Sequence, residues 1–283
     1  MPGAPRNGTS RNAGTGRYDE LREADGALRP HWRAFIAAVA GGGRVDVLRQ
    51  AQAHGRRLIA ENGVTYNVYA DPQGTDRPWT LDPLPLILTA GEWDQIAAGV
   101  AQRARLLDAL LGDLYGAQRL LSEGLLPPEL PFGHPNFLWP CRSLAPAGDR
   151  WLHFYAADLA RAPDGRWWLL ADRTQAPSGA GYALENREIL EQVHAERIGE
   201  AGVRGLRGFF GELRERLLQS EDDEAIAVLL TSGPFNETYF EHAYLARQLG
   251  VPLVEGHDLT VRADTVYLKT LGGLRRACAS LDL

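Results

Sequence analysis

Residues 151–179, WLHFYAADLARAPDGRWWLLADRTQAPSG, decide how the rest of the chain reads. Aromatic and apolar side chains run from Trp151 to Leu159 and again from Arg166 to Ala171, with Ala162-Pro163-Asp164-Gly165 between them. Two short apolar runs joined by an Asp-Gly turn predict an antiparallel hairpin. Successive side chains of a strand point to opposite faces, so of Trp167 and Trp168 one ring belongs in the core. The loop Pro177-Ser178-Gly179-Ala180-Gly181 leads into a helix from about Tyr182 to Ile198. A further helix, Leu206 to Leu218, is expected to bury Phe209, Phe210, Leu213 and Leu217.

Toward the N-terminus, His31 to Val39 is apolar at helical spacing and stops at Gly41-Gly42-Gly43. A second helix runs near Val47 to Glu61 and ends at Asn62-Gly63. Val64 to Tyr69 reads as a short strand and Asp71-Pro72-Gln73-Gly74 as a turn. After a Pro-rich extended stretch to Leu88, Thr89-Ala90-Gly91-Glu92 has capping-box spacing. It opens a helix with an apolar stripe at Ile96, Val100, Leu107, Leu110, Leu111 and Leu114, a core face. Residues 127–150 are rich in proline and read as loop.

Toward the C-terminus, Glu221 to Glu224 reads as an acidic linker. Ala225 to Thr231 is a continuous apolar strand, Asn236 to Leu249 a helix ended by Gly250, and Val251 to Val254 a second strand. Strand, helix, strand is a βαβ unit and implies parallel pairing. Thr265 to Thr270 is a last hairpin strand, followed by a few residues. The expected class is α/β with α+β character: a helical N-terminal region, an antiparallel hairpin, then a Rossmann-like βαβ unit. Three regions follow: a disordered leader (1–17), a helical region with the hairpin lobe (18–219), and the βαβ unit (220–283).

Composition excludes several classes. A net charge of -6 argues against a general nucleic-acid or anionic-membrane role. No apolar run approaches the ~20 residues that span a bilayer. Cys141 and Cys278 form neither a disulfide framework nor a zinc site, and a reducing cytoplasm is the default. Of 30 basic residues only Lys269 is lysine, so chemistry needing several lysines is closed to this chain.

Antiparallel pairing across the turn brings Asp158 near the start of the following loop, where Asp172 and Arg173 sit. Two carboxylates on neighbouring strands beside a Gly-rich loop suit Mg²⁺ with phosphates, since that ion keeps several waters and takes one or two carboxylates. Asp158 and Asp172 are the candidate metal ligands. The amides of Ser178, Gly179 and Gly181, at a helix start, are the candidate phosphate cradle. Arg173 could contact phosphate directly, or pair with an Asp to fix a turn. Asn236 as N-cap and Glu237 in the first helical turn have a structural reading. They also stand beyond a parallel strand, where open α/β sheets bind ligands. His134 and His153 read as packed or loop histidines rather than ligands, and Cys141, without a partner His motif, as a poor nucleophile candidate.

The ordered motifs resemble those of ATP-grasp ligases, and more closely those of circularly permuted ATP-grasp proteins. Asp158, Asp164-Gly165, Leu169-Leu170 and Pro177-Ser178-Gly179 fall on the family layout. Tyr66 to Tyr69, Leu81-Asp82-Pro83-Leu84-Pro85, Gly181 to Arg187, Gly233 to His242 and Val254 to Leu259 also fit, over roughly Tyr18 to Arg275. The family Glu of its Glu-x-Asn motif falls on Ala171 and its Asn on Arg173. The resemblance implies ATP and Mg²⁺ as cofactors and ATP-dependent joining of a carboxylate to an amine. It implies a peptide-like or small-molecule substrate, and an alpha-E domain and a transglutaminase-like protein as partners. It also implies that the chain stops before the nucleotide-holding half, so a catalytically inactive binding module or a truncated gene product are the alternatives. Asp158 and Asp172 are then expected to share an ion, with Arg173 and the Ser178-Gly179 loop on the same cleft.

Overall fold

A computed structural model describes residues 17–40, 45–67, 79–144, 146, 148, 150–194, 202–218 and 225–282. They fall into two compact units, Met1–Arg29 with Leu88–Arg173, and Pro30–Ile87 with Thr174–Leu283. The division differs from the boundary expected near Gln219. The reason is that the N-terminal helices pack on the helix after the Gly-rich loop, and so belong with the parallel sheet rather than with the hairpin.

In the first unit, helix α3 (Ala90–Tyr115) starts at Thr89 with both capping-box bonds made. Of its stripe, Ile96 and Leu114 are fully buried and the other four positions partly so. Two single-turn helices follow, α4 (Arg119–Ser122) and α5 (Glu129–Phe132). The hairpin is β1 (Ala156–Arg161) and β2 (Trp167–Arg173). β1 begins five residues later than Trp151, because Asp108 Oδ1 takes the amides of both Trp151 and Leu152 at 2.7 Å and ties that segment to α3 instead. Trp168 is the outward ring and Trp167 the covered one. At the end of β1 the guanidinium of Arg161 reaches Glu20 at 2.6 Å, Glu92, and the Gly165 carbonyl at 3.1 Å, and lies 4.0 Å over the Tyr18 ring. One nearly buried cation thus gathers the N-terminal segment, the start of α3 and the hairpin turn.

In the second unit, α1 (Pro30–Ala40) and α2 (Val45–Glu61) form as the periodicity predicts. Val64 does not start a strand: its N–H and C=O go to Ile59 and Trp79, and its side chain joins a core of Leu58, Ile59, Tyr182 and Ile189. Among the described residues there, only Thr65 forms a bridge. Met1 to Gly16, Gly41 to Gly43, Val68, Tyr69, Asp71 to Gly74, Glu221 to Glu224 and the helix end expected at Ile198 lie outside the described residues. α6 (Ala180–Val193) is followed by α7 (Arg207–Leu218), which buries Phe210 and Leu213 but leaves Phe209 exposed.

The sheet is β4-β3-β7-β6-β5, with β3 (Ile226–Thr231), β4 (Leu253–Glu255), β5 (Leu259–Arg262), β6 (Thr265–Thr270) and β7 (Gly273–Asp282). β3 and β4 pair in parallel around α8 (Tyr239–Leu249), as a βαβ unit requires. The segment expected as a short tail is the central strand. β7 pairs antiparallel with β6 through Gly273–Arg276 and then parallel with β3 through Ala277–Asp282, welding a β5-β6 hairpin to the βαβ unit. Leu229, Leu245 and Leu249 are shut from solvent between β3 and α8.

This places β3 at the centre of stability and β5 at its margin. Leu229→Ala is expected to cost about 2–5 kcal/mol in urea unfolding. Val261→Ala, on the edge strand and 67% exposed, is expected to stay within about 0.5 kcal/mol.

Candidate functional site

The hairpin carries its acids on opposite faces. Asp158 stands opposite Ala171, and Asp172 opposite Ala157, because a bulge between Asp158 and Leu159 leaves Leu170 as an extra residue on β2. Without the bulge, Asp158 would face Leu170, and both acids would share one face; a one-residue slip moves every side chain to the other side. Asp158 is gripped by Arg173, Nε to Oδ1 at 3.0 Å and Nη2 to Oδ2 at 2.8 Å. On the other face, Arg103 forks onto Asp172, Nε to Oδ1 at 3.1 Å and Nη2 to Oδ2 at 2.7 Å. Tyr155 adds a hydroxyl to Oδ1 at 2.7 Å.

Electrostatics follow the geometry. The Arg173 guanidinium holds the Asp158 carboxyl below its ordinary value, and Arg103 does the same for Asp172 against a smaller opposing effect of burial. Burial, and then the bond to Asp172, pushes the Tyr155 hydroxyl up to about 12. Two ionised acids each matched by an arginine on opposite faces do not fit a shared divalent ion. Among the described residues no group of three His, Cys, Asp or Glu is placed to hold a metal. The expectation that Asp158 and Asp172 share an ion is therefore not met. Arg173 makes the pairing that fixes the strand end rather than standing free for a phosphate.

The Gly-rich loop does cradle an anion, but an internal one. The Gly179 N–H donates to both carboxylate oxygens of Glu241, at 2.7 and 2.8 Å, and the Gly181 N–H donates to Oε1 at 2.8 Å. Glu241 comes from the first turn of α8 and is fully buried. Its carboxylate sits on the N-terminus of α6, where helix amides and dipole favour negative charge. Burial pushes its pKa up, and the two glycine amides act against that rise. Gly179 has φ of +113°, a left-handed value that suits glycine. At Gly181 an added Cβ would stand 2.8 Å from Glu241 Cγ. The amides of Gly179 and Gly181 that an incoming phosphate would use are thus already taken.

At the C-terminal end of β3 a buried polar chain sets the next loop. Thr231 Oγ1 meets His242 Nδ1 at 2.7 Å, and His242 Nε2 meets Thr238 Oγ1 at 3.1 Å. The Gly233 N–H donates to Thr231 Oγ1 at 3.1 Å. Helix α8 begins after Thr238, so Asn236 is not its N-cap and Glu237 is not in its first turn. Asn236 accepts from the Thr238 N–H and hydroxyl at 2.8 Å and donates to Ser232 Oγ at 2.9 Å, while Glu237 accepts from the Tyr66 hydroxyl at 2.9 Å. These residues hold the loop beyond the parallel strands, the position where a ligand edge is expected. Asp158, Asp172 and Arg173 belong to one unit; Ser178, Gly179, Gly181, Asn236 and Glu237 belong to the other.

Arg103, Tyr155 and Arg161 escaped the sequence reading, since each meets its acid through the tertiary fold. Glu241 left a signal: it precedes Leu245 and Leu249 at a spacing of four, so it lies on the apolar stripe of α8.

A hairpin, a Gly-rich loop opening a helix, and a sheet with a parallel βαβ unit together define an α/β protein of the layout the motifs suggested. The family profile "Circularly permuted ATP-grasp type 2" matches residues 85–278, and the chain belongs to that family. The Mycobacterium tuberculosis protein Rv2567 is 40% identical over 271 residues, covering 92% of this chain and 30% of its own length. The Synechocystis protein sll0335 is 34% identical over 262 residues, covering 92% of this chain and 54% of its own. A solved glutathione synthetase-like effector from Globodera pallida, in the apo form, aligns with a TM-score of 0.49 at 16% identity, over 84% of this chain and 57% of that one. No described helix is long and apolar enough to cross a membrane.

Two predictions follow from the internal charges. Glu241→Ala strands the Gly179 and Gly181 amides in the interior and is expected to cost about 2–4 kcal/mol, with Glu241→Gln costing less because its carbonyl oxygen still accepts. Urea unfolding of the three proteins checks the order. The folded pKa of Asp172 is lowered, so its contribution is present above the unfolded value and is lost as pH falls through the folded one. Asp172→Asn is expected to cost about 1 kcal/mol at neutral pH. The gap should close below about pH 4, read from thermal melts across a pH series.

Proposed function

We propose that this chain forms part of an ATP-dependent ligase that joins a carboxylate to an amine on a peptide-like or small-molecule substrate. The observation that carries the reading is the family match, which runs from before α3 through the hairpin and into β7. In such a reaction ATP phosphorylates the carboxylate, the amine attacks the acyl phosphate, and inorganic phosphate leaves. Catalysis is mostly positioning and stabilisation of phosphoryl charge. Within this reading, the loop from Thr231 to Thr238 is a substrate edge. His242 and Thr231 fix its backbone from below, and Asn236 and Glu237 orient its surface. Bound Mg²⁺ would supply charge neutralisation at the phosphates; Asp158 and Asp172 are instead paired with Arg173 and Arg103.

One observation favours a second reading, a binding or assembly module without catalysis. Ala171 and Arg173 stand at the family Glu and Asn positions, and Arg173 closes on Asp158 with three hydrogen bonds. Lys269, the one lysine in the sequence, donates to the His257 carbonyl at 2.7 Å.

Both readings expect that the purified 283-residue chain shows no Mg-ATP binding at micromolar concentration, and titration calorimetry tests this. The ligase reading is tested on the longer mycobacterial relative, by ADP release with paired carboxylates and amines. Release that requires both substrates supports it; the absence of release with every pair leaves the module reading standing alone.

A further inference from the structure

The motif Leu81-Asp82-Pro83-Leu84-Pro85 has no part in the chemistry above, yet its residues Leu81 to Leu84 line a concavity. This is a groove of about 510 Å³ within the second unit. One wall is α2, which presents Leu48, Arg49 and Gln52; the other is the extended run from Thr80 to Leu84. The volume lies in the range of small-molecule sites.

Both walls are held in place. The extended run is pinned to α6 at both ends: the Trp79 indole donates to Asn186 Oδ1 at 2.8 Å and stacks on Tyr182 at 4.5 Å, and the Pro83 carbonyl meets His194 Nε2 at 2.9 Å. Pro83 and Pro85 stiffen it further. His194 is 2% exposed, and its Nδ1 has no partner among the described residues. A carbonyl can only accept, so Nε2 carries the proton, and the ring serves to hold Pro83. On the opposite wall, Leu58 and Ile59 anchor α2 in the same core that Leu81 packs against.

The lining has opposite charges on opposite walls. Among the described residues Arg49 pairs with Asp46 alone, at 3.9 Å with both side chains about three-quarters exposed, so its fork is open to a ligand. Asp82 Oδ1 accepts the Leu84 N–H at 2.8 Å, and Oδ2 meets no donor among the described residues. Leu48, Leu81 and Leu84 supply apolar surface between them.

We propose that this groove binds a free apolar α-amino acid. Its carboxylate takes the Arg49 fork with help from the Gln52 amide, its ammonium takes Asp82, and its side chain lies on the three leucines. An arginine fork matches a carboxylate bidentately, and a wall fixed in advance loses little freedom on binding. The site requires no ATP and stands apart from the ligase reading.

Saturation-transfer NMR and calorimetry on the 283-residue protein, without nucleotide, test it with four probes: L-leucine, acetyl-leucine, leucinamide and acetyl-leucinamide. Leucine is expected to bind with a Kd of about 1 mM or tighter. Removing either charge should weaken binding about tenfold. Arg49→Gln should weaken leucine to the level of leucinamide and leave leucinamide unchanged, which a general loss of structure would not do. Gln52→Trp, at an exposed helix position, should block all four probes while circular dichroism stays native. Equal binding of leucine and acetyl-leucinamide, indifference to Arg49→Gln, or no leucine binding would each overturn the proposal.

Discussion

The second unit depends on a carboxylate buried against two glycine amides. Glu241 leaves α8, crosses to the start of α6, and accepts three hydrogen bonds there. An unpaired carboxylate in that position would be costly, and amides at a helix start without a partner would be costly too; together they offset each other. With its start fixed, α6 becomes the dock for the earlier part of the chain. Glu185 accepts from Asn62 at 2.6 Å, the Tyr182 hydroxyl donates to the Thr65 carbonyl at 2.6 Å, Asn186 accepts from Trp79, and His194 holds Pro83. Residues far apart in sequence are ordered by one helix because that helix is itself anchored to the sheet through α8.

The same principle appears in the hairpin, with arginines in place of helix amides. There the acids are on the strands, and arginines arrive from α3 and from the strand end to match them. A chain whose cations are nearly all arginine favours such matches, since the planar fork meets a carboxylate with two bonds where an ammonium meets it with one. Positions that read as open sites for ions in the sequence are therefore occupied by the protein's own charges. The loop after β3 is different: its hydrogen bonds run beneath it, through Thr231 and His242, and leave Ser232, Asn236 and Glu237 at its surface.

What the sequence made legible is local. Helical periodicity, the Thr89 capping box, the Asp164-Gly165 turn and the βαβ unit all rest on interactions within a few residues, or on burial patterns that a short window displays. β7 was not legible, because Gly273 to Asp282 mixes two arginines with small residues and lacks strand alternation. It becomes a strand because β3 and β6 offer it hydrogen bonds on both sides, and strand preference depends on such surroundings. The opposite faces of Asp158 and Asp172 were hidden for a similar reason. No composition rule marks Leu170 as a bulge, and that one residue determines which face each acid takes. The Gly179 and Gly181 amides read as a cradle for phosphate; that they meet Glu241 follows only from the packing of α8 on α6.

The position of β7 also bears on how the chain is made. Ile226 to Thr231 is an almost wholly apolar strand, and its second partner begins at Ala277. As synthesis proceeds, β3, α8 and β4 can close on one side, while the other edge of β3 stays unpaired until β7 has been made. An apolar strand with open hydrogen-bonding groups is a template for any neighbouring extended chain. The interval between making β3 and making β7 is therefore when this edge is most open to pairing with the wrong strand.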